Sequence, residues 1–411
     1  MSFQFPDTFM WGTATAAHQV EGNNVNSDFW VLEHLSETMF QEPSGDAIDH
    51  YHRYPEDIAL LGELGFNAYR FSVEWARVEP EPGFFSVAAL DHYRRMAETC
   101  HAHGLQPVVT LHHFTSPRWL IRQGGWQAPE TAGRFAAYTT RVIEHLGDLL
   151  AAVCTINEVN IPRMFALTYG ARRRETEEFK RAMQVAADAF DVPVAQFSPF
   201  LLAGSERERD VLLAAHHQAV AAVRAARPEL PVGMTLSMAD MQAMPGGEAI
   251  RDELRGEIQD IFLDAAQHDD FLGVQTYTRE RYGPEGSLPP EEGVERTLMG
   301  YEFWPEAIEA TLRYAAQRAR VPVYVTENGI GTDDDTRRMA YYRRAIAGVT
   351  RCLDDGLDVR GYFAWSAYDN FEWMLGYGPT FGIIAVDRAK QTRAVKPSAR
   401  WLGQLAQANA L

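Results

Sequence analysis

Short apolar runs recur along the chain, each followed by a longer stretch whose apolar positions return every three or four residues. The runs fall at residues 9–17, 67–75, 106–114, 151–157, 232–239, 271–278, 321–326 and 361–367. The intervening stretches carry helix punctuation. Pro55, Glu56 and Asp57 read as the first turn of a helix that stops at Gly65. Residues 90–103 followed by Gly104, residues 210–226, and residues 339–355 followed by Gly356 repeat the pattern. Strands alternating with helices of this size predict an α/β fold with a parallel sheet. An open, doubly wound sheet would carry a glycine-rich phosphate turn after its first strand. The corresponding stretch, Trp11-Gly12-Thr13-Ala14-Thr15-Ala16, lacks that glycine spacing. Eight strands match a closed (β/α)8 TIM barrel. With no linker, repeat or low-complexity tract, residues 1–411 are expected to form a single barrel domain.

A barrel of this kind builds its active site at the C-terminal ends of its strands. Two of those ends stand out. Thr155-Ile156-Asn157-Glu158 and Val325-Thr326-Glu327-Asn328-Gly329 each put a glutamate just past an apolar run, where an unpaired charge is costly. Two carboxylates facing across a cleft are what glycosidic cleavage requires, one giving a proton and the other meeting charge at the sugar carbon. The other strand ends supply Gln19, Glu21, Arg70, Glu74, His112, His113, Asp240, Gln275, Tyr277, Asp369, Glu372 and Trp373. Amides and carboxylates pair with hydroxyls, and indole faces stack on the C–H side of a pyranose. The set has the composition of a carbohydrate site. Structural readings compete for several members. Glu21 and Glu74 read as ion-pair or turn residues. His112 and His113 are adjacent on a strand and point to opposite faces, so they do not converge on a metal. His216-His217 reads as helix packing, and Arg172-Arg173-Arg174 followed by Glu175, Glu177 and Glu178 as a solvated helix face.

Composition removes other functions. A formal charge of -18 argues against a nucleic-acid partner. No apolar stretch approaches a membrane span. Cys100, Cys154 and Cys352 form no C-x-x-C pair, and neither a metal site nor a cofactor is expected. The first residues lack a basic segment leading into an apolar one, so the expected setting is cytoplasmic and reducing. A homo-oligomer is left open.

Seven ordered segments resemble glycoside hydrolase family 1, the β-glucosidase family. They are Phe9-Met10-Trp11-Gly12-Thr13-Ala14 with Gln19-Val20-Glu21-Gly22, Tyr69-Arg70-Phe71-Ser72-Val73-Glu74-Trp75, Leu111-His112-His113-Phe114, the two glutamate motifs, Trp365-Ser366, and Asp369-Asn370-Phe371-Glu372-Trp373. The resemblance implies Glu327 as nucleophile and Glu158 as acid/base. It implies Asn157 at the sugar 2-hydroxyl, with Gln19, His113, Glu372 and Trp373 at the other hydroxyls. Trp365 would lie beneath the ring, and Arg70 and Tyr277 would contact the nucleophile. The expected activity is retaining, cofactor-free hydrolysis of terminal β-glucosyl, galactosyl or fucosyl residues from small glycosides or oligosaccharides. A transglycosidase using the same site, and a catalytically silent sugar-binding barrel, are the alternatives; the retained acid speaks against a thioglycosidase. Arg70 is expected to lower the pKa of Glu327.

The chain departs from the family pattern at five places. Val159 replaces a proline after the acid, freeing a backbone N–H and loosening the strand exit. Gln275 replaces an asparagine, with an expected hydrogen-bond shift toward the leaving-group side. Phe114 replaces a tryptophan and Thr380 an arginine. Residues 161–204 read as amphipathic helix in place of a Gly/Pro-rich loop, which would widen the aglycone entrance. Glu372 argues against a 6-phosphorylated sugar.

Overall fold

Eight parallel strands close into a barrel in the computed structural model, which describes residues 3–168 and 176–411. Strands β1 (Met10–Ala14), β2 (Ala68–Ser72), β3 (Gln106–His112) and β4 (Ala152–Ile156) pair in sequence order. The fifth run is one strand in two pieces. β5 (Val232–Gly233) bonds to β4, and β6 (Thr235–Ser237), beyond Met234, bonds to β8 (Leu272–Gln275). β8 then pairs with β11 (Val323–Asn328), β11 with β12 (Val359–Trp365), and β12 with β1, completing the ring. The expected barrel is present; the tails of seven runs turn out of the sheet, whereas β11 extends past its run to take in Glu327 and Asn328.

Three further strands lie above the barrel. β7 (Asp240–Ala243) follows β6, β9 (Arg279–Gly283) follows β8, and β7 and β9 pair in parallel, extended by β10 (Gly286–Leu288) antiparallel to β9. This ribbon raises one wall of the barrel mouth. A hairpin, β13 (Ile384–Asp387) with β14 (Thr392–Val395), precedes the last helix.

Two layers of core hold the architecture. The larger lies between sheet and helices; the smaller fills the barrel and includes Met10, Ala14, Ala68, Cys154, Phe363 and Trp365. Gly12 belongs to the second layer, since a Cβ there would meet the Phe363 ring at 2.4 Å. Truncating Phe363 to alanine would leave that space empty, a cost of about 3–5 kcal/mol.

Helix boundaries differ from expectation in three places. The helix holding Pro55 begins earlier, at His50, and runs to Leu64, so the proline is interior and forfeits one backbone bond. His50 Nδ1 bonded to Asp57 at 2.8 Å ties the extra turn down. The helix Glu206–Ala226 starts ahead of the expected residue 210 because Ser205 and Glu208 form a reciprocal capping box. Among the described residues of 161–204, Ile161–Leu167 and Glu177–Ala189 are α-helical, and Val194–Gln196 and Phe200–Leu202 are single tighter turns where the expected α-helix does not continue. Arg172, Arg173, Arg174 and Glu175 lie outside the described residues. Glu177 and Glu178 open the second helix on its exposed face. No helix among the described residues is long and apolar enough to cross a membrane.

Candidate active site

The strand ends converge on a cleft enclosing about 240 Å³, lined by His113, Asn157, Glu158, Tyr277, Glu327, Trp365, Glu372 and Trp373 among others. Glu327 is the penultimate residue of β11 and is buried. The register of β11 slips against both neighbours just before it, between Val325 and Glu327 toward β8 and between Val325 and Asn328 toward β12. Such irregularities re-aim a side chain. Gly329 completes the turn because a Cβ there would stand 1.9 Å from the Trp365 carbonyl.

Arg70, fully buried within the barrel, donates from Nη1 to Glu327 Oε1 at 2.7 Å. Tyr277 donates its hydroxyl to the other oxygen at 2.8 Å. Burial raises the pKa of Glu327 above the ordinary carboxylate value, while the Arg70 charge, its hydrogen bond and that of Tyr277 pull it down. The net direction is upward, contrary to the lowering expected from Arg70 alone. Desolvation in a closed barrel mouth outweighs the single cation.

Glu158 follows β4 with φ of +45°, the left-handed region where a non-glycine residue is strained. Its N–H donates to Thr235 Oγ1 at 3.0 Å. The N–H freed by Val159 donates to the Thr235 carbonyl at 3.2 Å, so the exit from β4 is tied back to the barrel where loosening was expected. Burial, then the charge of Glu327, push the Glu158 carboxyl up to about 8, against the Ser237 hydroxyl and the Arg70 charge. The two carboxyls therefore have distinct settings: a cation and a phenol hold one, and only a hydroxyl bonds the other.

Asn157 is fixed by saturation of its oxygen. Oδ1 accepts from Arg70 Nη2 at 2.5 Å, Gln275 Nε2 at 2.8 Å and Thr235 Oγ1 at 3.2 Å. Its amide nitrogen is thereby turned toward His113 Nε2, 3.1 Å away. Gln275 thus lies behind Asn157, fully buried, and does not reach the leaving-group side as expected. The extra methylene of glutamine is spent crossing to β4.

Beyond Asn157 three buried polar atoms have no protein partner: His113 Nδ1, Gln19 Oε1 and Glu372 Oε1. Gln19 sits on the helical turn Ala17–Val20, its Nε2 donating to Phe371 O at 2.6 Å and Asn370 Oδ1 at 3.1 Å. Burial, with the charges of Arg70 and His112, holds His113 well below the usual histidine range, so it is neutral with one N–H to donate. Burial and the charge of Glu327 push Glu372 well above the carboxylate range. Trp365 stacks on His113 at 5.8 Å between ring centroids, and Trp373 stacks on His18 at the same separation.

The remaining strand-end residues are structural. His112 turns away from the cleft to bond Ser116 and pack on Trp126, so only His113 enters. Glu21 pairs with Arg77 at 2.7 Å, Glu74 caps Trp75–Val78, and Asp369 pairs with Lys396 at 2.8 Å. Asp240 bonds Gln242 within the ribbon. His216 is buried on its helix between Thr155 and Asp269. Thr380 bonds the Thr332 carbonyl and Asp333, and Phe114 packs between Phe200 and Trp373. No group of three or more His, Cys, Asp or Glu among the described residues is placed to hold a metal. Sequence reading missed Thr235 and Ser237. Their two-residue spacing, with Leu236 between, was the available signal that both face the barrel.

The family model for glycosyl hydrolase family 1 matches residues 1–277 and 263–411. The chain belongs to this family. It is 30% identical to "Beta-glucosidase A" of Thermotoga maritima, with 99% of each chain covered. It is 32% identical to the "Bifunctional beta-D-glucosidase/beta-D-fucosidase" of Bifidobacterium breve, with 98% of each covered. Among solved structures, beta-glycosidase BGL167 superposes with a TM-score of 0.94 at 55% identity, covering 98% of this chain and 97% of that one. Family members in this set are (β/α)8 barrels, as here, and membership makes the chain an O-glycoside hydrolase.

Proposed function

We propose that the chain, as one catalytic barrel of residues 1–411, is a retaining β-glycosidase that removes terminal β-glucosyl, galactosyl or fucosyl residues. One observation carries the assignment of roles: a carboxylate clamped by Arg70 and Tyr277 shares a cleft with a second, buried carboxyl pushed up to about 8. Burial raises both carboxyls, but only Glu327 is bonded by a cation, and unlike settings of two titrating groups separate nucleophile from acid.

Glu327, ionised beside Arg70, attacks the anomeric carbon while Glu158 protonates the leaving oxygen. The resulting ester has no charge. One of the two causes that raise Glu158 is then gone, and its pKa falls, which suits deprotonation of the incoming water. Asn157, turned by its saturated oxygen, presents its amide to the 2-hydroxyl. The unpartnered atoms of Gln19, His113 and Glu372 supply acceptors and a donor for the other hydroxyls, and Trp365 and Trp373 supply apolar faces. No lysine or arginine among the described residues lines the cleft to pair a phosphate, so a 6-phosphorylated sugar is disfavoured. Three buried, unpaired thiols, Cys100, Cys154 and Cys352, fit a cytoplasmic setting.

The test is hydrolysis of nitrophenyl β-glucoside, β-galactoside, β-fucoside and β-glucoside-6-phosphate by wild type and Glu327→Ala. Turnover of one or more unphosphorylated glycosides, lost in Glu327→Ala, is expected. A folded wild-type protein that turns over none of them would point instead to a sugar-binding barrel.

A further inference from the structure

In the glycosidase chemistry proposed above, Glu158 protonates the leaving oxygen, so the aglycone must extend past Glu158 toward the outer half of the cleft. The helix Ile161–Leu167 begins three residues later and forms that wall. Ile161, Met164 and Phe165, spaced i, i+3, i+4, share one helix face, and all three line the cleft. Leu201, from the short helix Phe200–Leu202 packed against them, lines it too.

Methionine is concentrated here. Of 13 in the chain, Met164, Met238, Met299 and Met374 reach this one cleft from four separate segments. An unbranched thioether adapts to irregular apolar shapes and recurs on surfaces that accept varied apolar ligands. Tyr301 brings one hydroxyl to this side, and the other polar side chains there are engaged. Thr278 donates to the Glu302 carbonyl at 2.9 Å, Ser237 serves Glu158, and Glu280 accepts from the Tyr282 hydroxyl. The inner half shows the opposite character, with unpartnered Oε1 of Gln19, Oε1 of Glu372 and Nδ1 of His113. A second sugar in the outer half would bury most of its hydroxyls against methionine, isoleucine and leucine, with the Tyr301 hydroxyl too few to pair them, which is unfavourable.

We infer that the outer half of the cleft is an apolar aglycone site, and that the substrates are β-glycosides of apolar alcohols, not oligosaccharides. The inner half holds the sugar by hydrogen bonds, and the outer half holds the leaving group by removing it from water.

Binding of S-linked analogues tests this without depending on turnover. Calorimetry would be run with methyl, ethyl, propyl, butyl and hexyl β-thioglucoside and with thiocellobiose. Burial of each methylene predicts a Kd that falls about four-fold per carbon through butyl. Thiocellobiose is expected to bind no tighter than methyl β-thioglucoside. Met164→Gln and Leu201→Gln, checked for folding by circular dichroism, should each flatten the series. A flat wild-type series, or thiocellobiose binding tighter than the hexyl compound, would overturn the inference. So would a series equally steep in both variants. A steep series in a protein that fails to cleave any nitrophenyl glycoside would support the apolar site while removing the catalytic reading, so the two are separable.

Discussion

The raised pKa of Glu158 has a thermodynamic consequence that can be measured without substrate. A carboxyl with pKa near 4.5 in the unfolded chain and about 8 in the fold binds its proton more tightly when folded. Folding stability must then fall as pH rises between those values, because the unfolded chain releases the proton first. Integrating the two titrations from pH 5 to pH 8 gives a loss of roughly 3–4 kcal/mol from this one residue. Glu158→Gln keeps the shape of the protonated acid and removes the titration. Variant and wild type should therefore melt together near pH 5 and diverge above it, the variant being more stable. With an unfolding entropy of about 2.1 cal/mol/K per residue over 411 residues, the gap should widen by about 4 °C at pH 8. Differential scanning calorimetry of both proteins at matched scan rates reads this directly. Glu372, whose shift comes from burial and from Glu327 and Asp369 and not from Glu158, is common to both and cancels in the difference. A gap that stays constant from pH 5 to pH 8 would mean that Glu158 is ionised in the folded protein, and the acid assignment would be wrong.

Kinetics should separate the roles further. Glu158→Gln should lower kcat/KM for alkyl glycosides by about 10²–10⁴-fold and for dinitrophenyl glycosides far less, since a good leaving group needs no proton; equal losses would refute the role. Tyr277→Phe removes a donor to Glu327, so its pKa should rise and the acid limb of the kcat/KM profile move to higher pH; an unmoved limb would show that the limb belongs to another group. Thr235→Val removes the hydroxyl that bonds Asn157 and accepts from the Glu158 N–H, and kcat should fall roughly 10–100-fold as both groups lose their aim. Wild-type kcat in that variant would leave Arg70 and Gln275 as sufficient supports.

The barrel was legible because its signal is periodic and repeated: apolar runs alternate with helical segments over the whole length. That Glu158 and Glu327 meet in one cleft was legible because charges at the ends of buried strands are expensive and ordered motifs surround them. What escaped depended on long-range pairing. The split of the fifth strand at Met234 arises from bonding to β4 on one side and β8 on the other, which no local pattern encodes. The early start at His50 depends on Asp57 across a turn. Val159 read as a loosening of the chain because the partner of its N–H, the Thr235 carbonyl, lies 76 positions away. Gln275 was placed on the wrong side of the acid for the same reason: its amide is claimed by Asn157 and Thr235 on neighbouring strands. The direction of the Glu327 shift was misjudged because burial, invisible in the sequence, exceeds the pull of Arg70.

Trapping the covalent intermediate tests the central claim most directly. The wild-type enzyme would be treated with a 2-deoxy-2-fluoro β-glucosyl donor carrying a good leaving group, digested, and mapped by mass spectrometry. The account predicts one glycosyl adduct, as an ester on Glu327, and a hydrolysis product from ordinary substrates that retains the β configuration. An adduct on Glu158 or Glu372, or an inverted product with no adduct, would contradict it.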